Sequence, residues 1–325
     1  MKLPRRNFLR LAAGATAIPA ATQIARAQSY LTRPVRLIEG FGAGGGPDIV
    51  ARLIGQWLSE QFRQPYLVEN RPGANGNIAT EAVVRAAPDG YTLLLATTAN
   101  VVTTALYDKL NFNFVRDITP VASIMRVPLV MVVNPSFPAR TVSEFIAYAK
   151  ANPGKINVGG PGIRTLVELC VELFKMMAGI SVTYVPYRGD AAGLTDLLGG
   201  QIEMYFGGTL SAVEYIKAGR LHPLAVTTTA RLEVLPDTPA LGEFLSGYEA
   251  SAWFGVGAPK NTPAEIVDKL NKEINAALAD SKMKTRLADL GGTVLPGSPG
   301  NFGKLIIDET EKWGRVIRAA NIKPE

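Results

Sequence analysis

The chain has 325 residues, with 34 basic and 28 acidic side chains, one histidine and one cysteine. Single His and Cys residues cannot assemble a zinc site, an internal disulfide or a Cys/His nucleophile pair, so no metal centre and no catalysis of that kind is expected. The net charge of +6 is concentrated in the first 27 residues, where Lys2, Arg5, Arg6, Arg10 and Arg26 stand without an acid; the rest is close to neutral and has no basic cluster interleaved with aromatics, which excludes a nucleic-acid surface.

Residues 1–27 are predicted to be a twin-arginine signal peptide. Arg5-Arg6 form its charged start, an uncharged apolar run follows over 11–21, and Ala25-Arg26-Ala27 is an A-x-A cleavage site, so the mature chain is expected to begin at Gln28. The apolar run is too short to span a bilayer and no later stretch is long enough. Export to the periplasm without membrane insertion is the expectation. What remains is longer than one core commonly encloses, which predicts two domains.

Strands and helices then alternate, the pattern of parallel sheets. A strand at 35–38 runs into glycines 40, 42, 44, 45 and 46, after which Pro47-Asp48 opens a helix over 49–61 with Ile49, Leu53, Trp57 and Phe62 on one face, widened by Val50, Ile54 and Leu58. Such a turn gathers free amide N–H groups at a positive helix end, a ready anion site. Three readings stand side by side. Gly40, Gly42 and Gly45 spell GxGxxG with Glu69 at the distance of a ribose-binding acid, the pattern of a dinucleotide fold in an exported NAD(P)-dependent oxidoreductase. The second is a bare tight turn, and the third a cradle for a small carboxylate.

A strand at 66–68 leads to a Gly/Asn-rich loop over 69–77 that needs left-handed positions, then a helix at 78–86. The strand at 91–96 ends in Thr97-Thr98-Ala99-Asn100, small polar groups at a carboxyl end where open α/β sheets meet ligands. The run 128–133 is apolar on both faces and reads as a first crossing between domains. Thr141 and Glu144 form a capping box for a helix at 142–151. A strand at 156–158, the loop Gly159-Gly160-Pro161-Gly162 and a helix at 165–177 repeat the first design, with Thr165 and Glu168 spaced as another capping box. Cys170 in that helix reads as a small buried apolar residue. A strand at 182–185 delivers Pro186-Tyr187-Arg188-Gly189-Asp190 to a helix at 191–198. After a strand at 203–206 and a helix at 212–218, the segment 224–228, preceded by His222 as an edge or core residue, reads as the return crossing. A strand at 252–256, a helix opened by Thr262-Pro263-Ala264-Glu265 with core stripe Ile266, Leu270, Ile274 and Leu278, and a last helix from Ser298-Pro299 with Phe302, Leu305 and Ile306 inward complete the chain.

Five segments carry a resemblance: GFGAGGGPDIVARLIGQWL, VENRPGANGNIATEAVVRAAPDGYTLLLATT, VNPSFPARTVSEFIAYAKANPGKINVG, VPYRGDAAGLTDLLGGQIEMYFGG and IKAGRLHPLAVTTTARLEVLPDTPAL. With these the chain resembles the Bug family, periplasmic receptors of tripartite tricarboxylate transporters. The resemblance implies an α/β, two-domain type II periplasmic binding protein fold with a two-strand hinge and ligand in the interdomain cleft. Domain one would be 28–127 with 229–325 and domain two 128–228, hinged near 128–133 and 224–228. It further implies a monomer without catalytic residues or cofactor, taking a di-, tri- or aromatic carboxylate and serving cognate membrane permease subunits; a ligand-sensing partner of a signalling receptor uses the same fold.

The same resemblance places ligand contacts on Phe41, Ala43, Gly44, Gly45, Gly46 and Asp48 in the first loop, with Asp48 capping backbone N–H groups. Thr97, Thr98 and Asn100 would add side-chain hydrogen bonds. From the second domain would come Gly160, Pro161 and Gly162, where the family's Ser/Asn donors are replaced, Arg164 for a distal carboxylate or for a pair with Glu168, and Tyr187 with Arg188. Gly207 follows Phe206 where the family often carries Asp-Asn, and the loss of an acid there argues against an amino-acid ligand.

Overall fold

Short aliphatic runs cut by glycine turns build the first unit: β1 (Val35–Glu39), α1 (Gly46–Phe62), β2 (Tyr66–Asn70), α2 (Asn77–Val84), β3 (Thr92–Thr97) and α3 (Thr98–Leu106). This computed structural model describes residues 31–107 and 109–323; the expected leader and its cleavage site lie outside the described residues. α4 (Phe114–Asp117) leads into the long strand β4 (Ile118–Val133), then come α5 (Val142–Ala151), β5 (Asn157–Pro161), α6 (Leu166–Ala178), β6 (Thr183–Tyr187), α7 (Asp190–Leu198), β7 (Met204–Gly208), α8 (Thr209–Lys217) and β8 (His222–Val226). The chain finishes with β9 (Ser251–Pro259), α9 (Ala264–Ala279), α10 (Ser281–Asp289), β10 (Thr293–Val294) and α11 (Pro299–Ala319).

The strands lie in the order β2-β1-β3-β9-β4-β7-β5-β6, with β8 and β10 also on β4. Two parallel triplets, β2-β1-β3 and β7-β5-β6, therefore flank an antiparallel centre. β4 serves both sides. Up to Pro128 it pairs with β9, and from Leu129 to Val133 it pairs with β7 and β8 instead. Thr227 closes that changeover, donating its amide to Leu129 O at 3.0 Å and accepting from Leu129 N–H on its hydroxyl at 3.0 Å.

Several expectations shift by a residue or a face. α1 begins at Gly46, so Pro47 sits one position inside it, where an N–H would still lack an intrahelical partner. Its buried side is Val50, Ala51, Ile54 and Leu58, the expected widening of the stripe rather than its centre; Gly55 lets the helix lie against Tyr66 and Val68 of β2, which turns Leu53 and Trp57 towards α10, with which they line a groove. Thr262 does not cap the helix it was expected to open, because its hydroxyl donates to Pro259 O at 2.7 Å and Pro263 becomes the cap. Thr141 and Thr165 do cap α5 and α6, but Glu144 and Glu168 accept from Arg140 and Arg164, one residue before the cap. Cys170 is fully buried, which pushes its thiol pKa up. His222 starts β8 and its Nε2 lies 2.7 Å from Arg140 O.

Candidate functional site

A carboxylate network pins the first glycine loop from below. Glu39, at the end of β1, accepts from Phe41 N–H at 2.7 Å and from Asn70. Asn70 also donates to Asp48 Oδ1 at 2.8 Å, and Asp48 Oδ2 accepts from Gly44 N–H and from Arg52 Nε, both at 2.9 Å. Asp48 is thus buried and used by its own loop. The Arg52 hydrogen bond holds its pKa down at about 2, while burial raises that of Glu39. Ala43, Gly44, Gly45 and Gly46 are exposed, and Gly45 N–H makes a long 3.4 Å bond to Gly42 O. Glu69, the candidate ribose acid, is held by Arg36 and Arg71, each at 2.6 Å.

The expected left-handed loop is present. Gly73, Ala74, Asn75 and Gly76 all have positive φ, and Gly76 approaches so closely that a Cβ on Gly40 would come within 2.5 Å of its Cα. This contact places Asn75 beside Phe41. Next to it, Thr97-Thr98-Ala99-Asn100 is not a strand-end loop but the cap and first turn of α3, a helix the sequence pattern did not disclose. Asn100 accepts from Thr97 N–H at 2.7 Å and donates to Thr80 at 2.9 Å, so its buried amide faces the core. Thr98 Oγ1 accepts from Trp253 N–H at 2.8 Å, which leaves the hydroxyl's own proton to give.

On the other side, Gly162 turns at φ +74°, donates to Tyr187 O at 2.9 Å and accepts from Tyr184 Oη at 2.7 Å. Gly160 has no room for a side chain, since a Cβ would meet Tyr184 Oη and Val167 at 2.8 Å. Arg164 adopts a left-handed φ of 55°; its N–H, not its guanidinium, bonds Glu168, and its Nε donates to Lys323 O at 3.0 Å. Tyr187 donates to Asp196 at 2.9 Å, and burial pushes its pKa up to about 12. Arg188 is exposed. Near Gly207, Asp190 at the start of α7 accepts from Tyr205 Oη at 2.9 Å and Ser211 Oγ at 2.7 Å, and a Cβ on Gly207 would meet the Tyr205 ring at 2.3 Å and Asp190 at 2.9 Å.

Between these elements lies a cavity of about 240 Å³. Four of the expected residues line it: Phe41, Thr97, Thr98 and Arg164. The remaining first-loop glycines, Ala43, Asp48, Asn100, Gly160, Pro161, Gly162, Tyr187, Arg188 and Gly207 are not in its wall. Residues not named as ligand contacts from the sequence complete it: Pro47, Asn75, Ala99, Val102, Thr103 and Leu106 from the first triplet's side, Thr165 capping α6 and Leu166 within it, and Ala252, Trp253 and Phe254 from β9. Asn75 belongs to a loop whose composition was informative. Phe254 arrives only because β9 pairs Phe254 opposite Thr97. Among the described residues lining the cavity one is charged, the cation Arg164, and none is acidic. A wall of apolar side chains with hydroxyl groups, one amide and one cation suits an anion with an apolar part.

Comparison with known proteins gives the same direction. Residues 50–322 match the family described as tripartite tricarboxylate transporter family receptor. Protein BugT of Bordetella pertussis is 33% identical over 302 residues, 91% of this chain and 92% of that one. Among solved structures, R. palustris Rpa4515 with adipate is 36% identical with a TM-score of 0.75, covering 91% of this chain and 100% of that chain. MatC from Rhodopseudomonas palustris with bound malate is 32% identical with a TM-score of 0.71, covering 89% and 100%. The α/β arrangement described above is the two-domain fold of these periplasmic binding proteins.

Proposed function

The chain belongs to the tripartite tricarboxylate transporter receptor family, and from that premise we propose that it is a periplasmic solute-binding protein that takes a small organic carboxylate into the cavity and hands it to a cognate membrane permease. It makes and breaks no bond and needs no cofactor. The observation that carries this reading is the composition of the cavity wall: groups from both strand triplets converge on it, among the described residues its one charged side chain, Arg164, is basic, and Thr98 accepts from Trp253 N–H and keeps its hydroxyl proton to donate. The relatives with adipate and malate support the ligand class by analogy. We further take residues 28–127 with 229–325 as one lobe and 128–228 as the other, crossing near 128–133 and 224–228. The change of β4 partners after Pro128 supports that border. A ligand held by both lobes binds the closed form better than the open one, the condition for driving closure. Residues 1–27 act as the twin-arginine export signal, cleaved after Ala27.

Native mass spectrometry of the protein recovered from periplasm, followed by calorimetry with the acid so identified, tests the reading. A retained organic acid that rebinds near micromolar affinity is the expected result. Thr98→Val is expected to weaken it about tenfold or more, the scale of one hydrogen bond to a charged group. Measurable turnover of the acid, or binding indifferent to that substitution, would refute the assignment. N-terminal sequencing of the exported chain is expected to begin at Gln28.

A further inference from the structure

The three tryptophans of the chain are held in different ways. Trp313 donates its indole N–H to Glu309 Oε2 at 2.7 Å, as a buried indole ordinarily does. Trp253, on β9, is fully buried and belongs to the cavity wall, yet its Nε1–H meets no hydrogen-bond acceptor among the described residues. Trp57 also lacks an acceptor at Nε1, but it is half-buried and lies in the groove beside α10, away from the cavity. Burying an N–H without an acceptor forfeits its hydration for nothing in return, and native proteins keep few such groups without a reason.

Trp253 is not able to turn aside and find a partner. Its main-chain N–H is fixed on Thr98 Oγ1 at 2.8 Å, and the register of β9 sets it opposite Arg126 of β4. Its ring stands edge-on to the buried ring of Phe302, with 5.4 Å between centroids and 86° between planes. We propose that Trp253 Nε1–H is a ligand-binding donor whose acceptor is an oxygen of the acid in the cavity. This rests on the reading of the cavity as a carboxylate site and adds a specificity-determining residue to it. Thr98 and Trp253 then work as one rigid unit, the first giving its hydroxyl proton and the second its indole proton. Because the protein supplies no acceptor of its own, the indole bond exists only with the acid in place. Such a contact favours the acid-holding form over the other, which is what closure by a ligand requires.

Nuclear magnetic resonance of the full chain with isotope-labelled indole nitrogens tests this, with succinate, malate, adipate and benzoate as probes and calorimetry to register binding. The Trp253 indole proton, identified by its Overhauser contacts with Phe302, is expected to move downfield when one of these acids binds. Those of Trp57 and Trp313 are expected to stay in place. Trp253→Phe removes the donor and is expected to weaken that acid about tenfold. Trp57→Phe removes an unpartnered indole outside the cavity and is expected to leave the affinity unchanged. If Trp253→Phe does not fold, the spectra of the unsubstituted chain decide alone. A bound acid that leaves the Trp253 indole signal unmoved overturns the assignment while the carboxylate reading stands, and so does undiminished affinity in Trp253→Phe. Failure of all four acids to bind removes the carboxylate reading itself, and this inference with it.

Discussion

Asp48 accepts from three donors at once, and each holds a different part of the first loop: Gly44 in the turn, Arg52 one helical turn on, and Asn70 at the end of the neighbouring strand. Its pKa of about 2 lies below the ordinary 3.8. A depressed acid stabilises the fold fully above its unfolded value, and that stabilisation is lost as pH falls from about 4 towards 2. Because Arg52 is half exposed, the contribution is discounted to about 1–2 kcal/mol. Asp48→Asn should lower the urea unfolding free energy by that amount at pH 7 and flatten its slope between pH 4 and 2; an unchanged acid slope would remove Asp48 from this role. Glu39 acts in the opposite sense, since burial raises its pKa and protonation therefore favours the fold. Gly160 is set by packing. Gly160→Ala would push a methyl group into Tyr184 and Val167 and should cost about 1–3 kcal/mol, read as a lower denaturation midpoint. Asp48 as a loop cap was legible from the sequence, because a carboxylate after a glycine turn has backbone N–H groups within reach. Asn70 was not: it lies on another strand, and only the register of β1 against β2, which sets Glu39 opposite Asn70, brings it near.

Helix α3 brings Thr98, Val102 and Leu106 to the cavity wall. Its sequence, TANVVTTAL, is rich in β-branched residues, which weakens the helical signal, so its first turn reads as a loop after a strand. Reciprocal capping by Thr97 and Asn100 holds it instead, with Asn100 anchored onward to Thr80 of α2. Asn100→Ala removes half of that box and leaves Thr80 without its donor. It should cost about 1–3 kcal/mol of stability and weaken ligand binding although Asn100 is not in the cavity wall; intact affinity in calorimetry would show that α3 holds its place without the cap. Periodicity located α1 well and included Val50, Ile54 and Leu58 in its apolar face, but centred that face on Leu53 and Trp57, which lie to one side of it. A 3.6-residue repeat fixes which side chains share a face, whereas the tight seat of Gly55 against Tyr66 and Val68 decides how that face is aimed.

At the scale of the whole molecule, β4 joins the two strand triplets by exchanging β9 for β7 and β8 at Pro128 and Leu129. Arg164, just before α6, lines the cavity and reaches Lys323 beyond the end of α11. A ligand that engages both sides should stabilise the native state by mass action, about 2.7 kcal/mol at a hundredfold excess over its Kd, visible as a rise in Tm that depends on ligand concentration. Small-angle scattering should show a smaller radius of gyration on the same addition, and an unchanged radius would count against closure. The sequence by itself determined the alternation of strands and helices and the glycine turns, because these follow from local backbone preference and apolar period; the family and its fold were legible through the resemblance that five segments carry. Only the tertiary structure decided which residues wall the cavity. Phe254 meets Thr97 through antiparallel pairing of strands 157 positions apart in the chain, and Leu166 meets Leu106 only where α6 and α3 come together; no spacing within either segment encodes a contact that depends on how two separate stretches are docked.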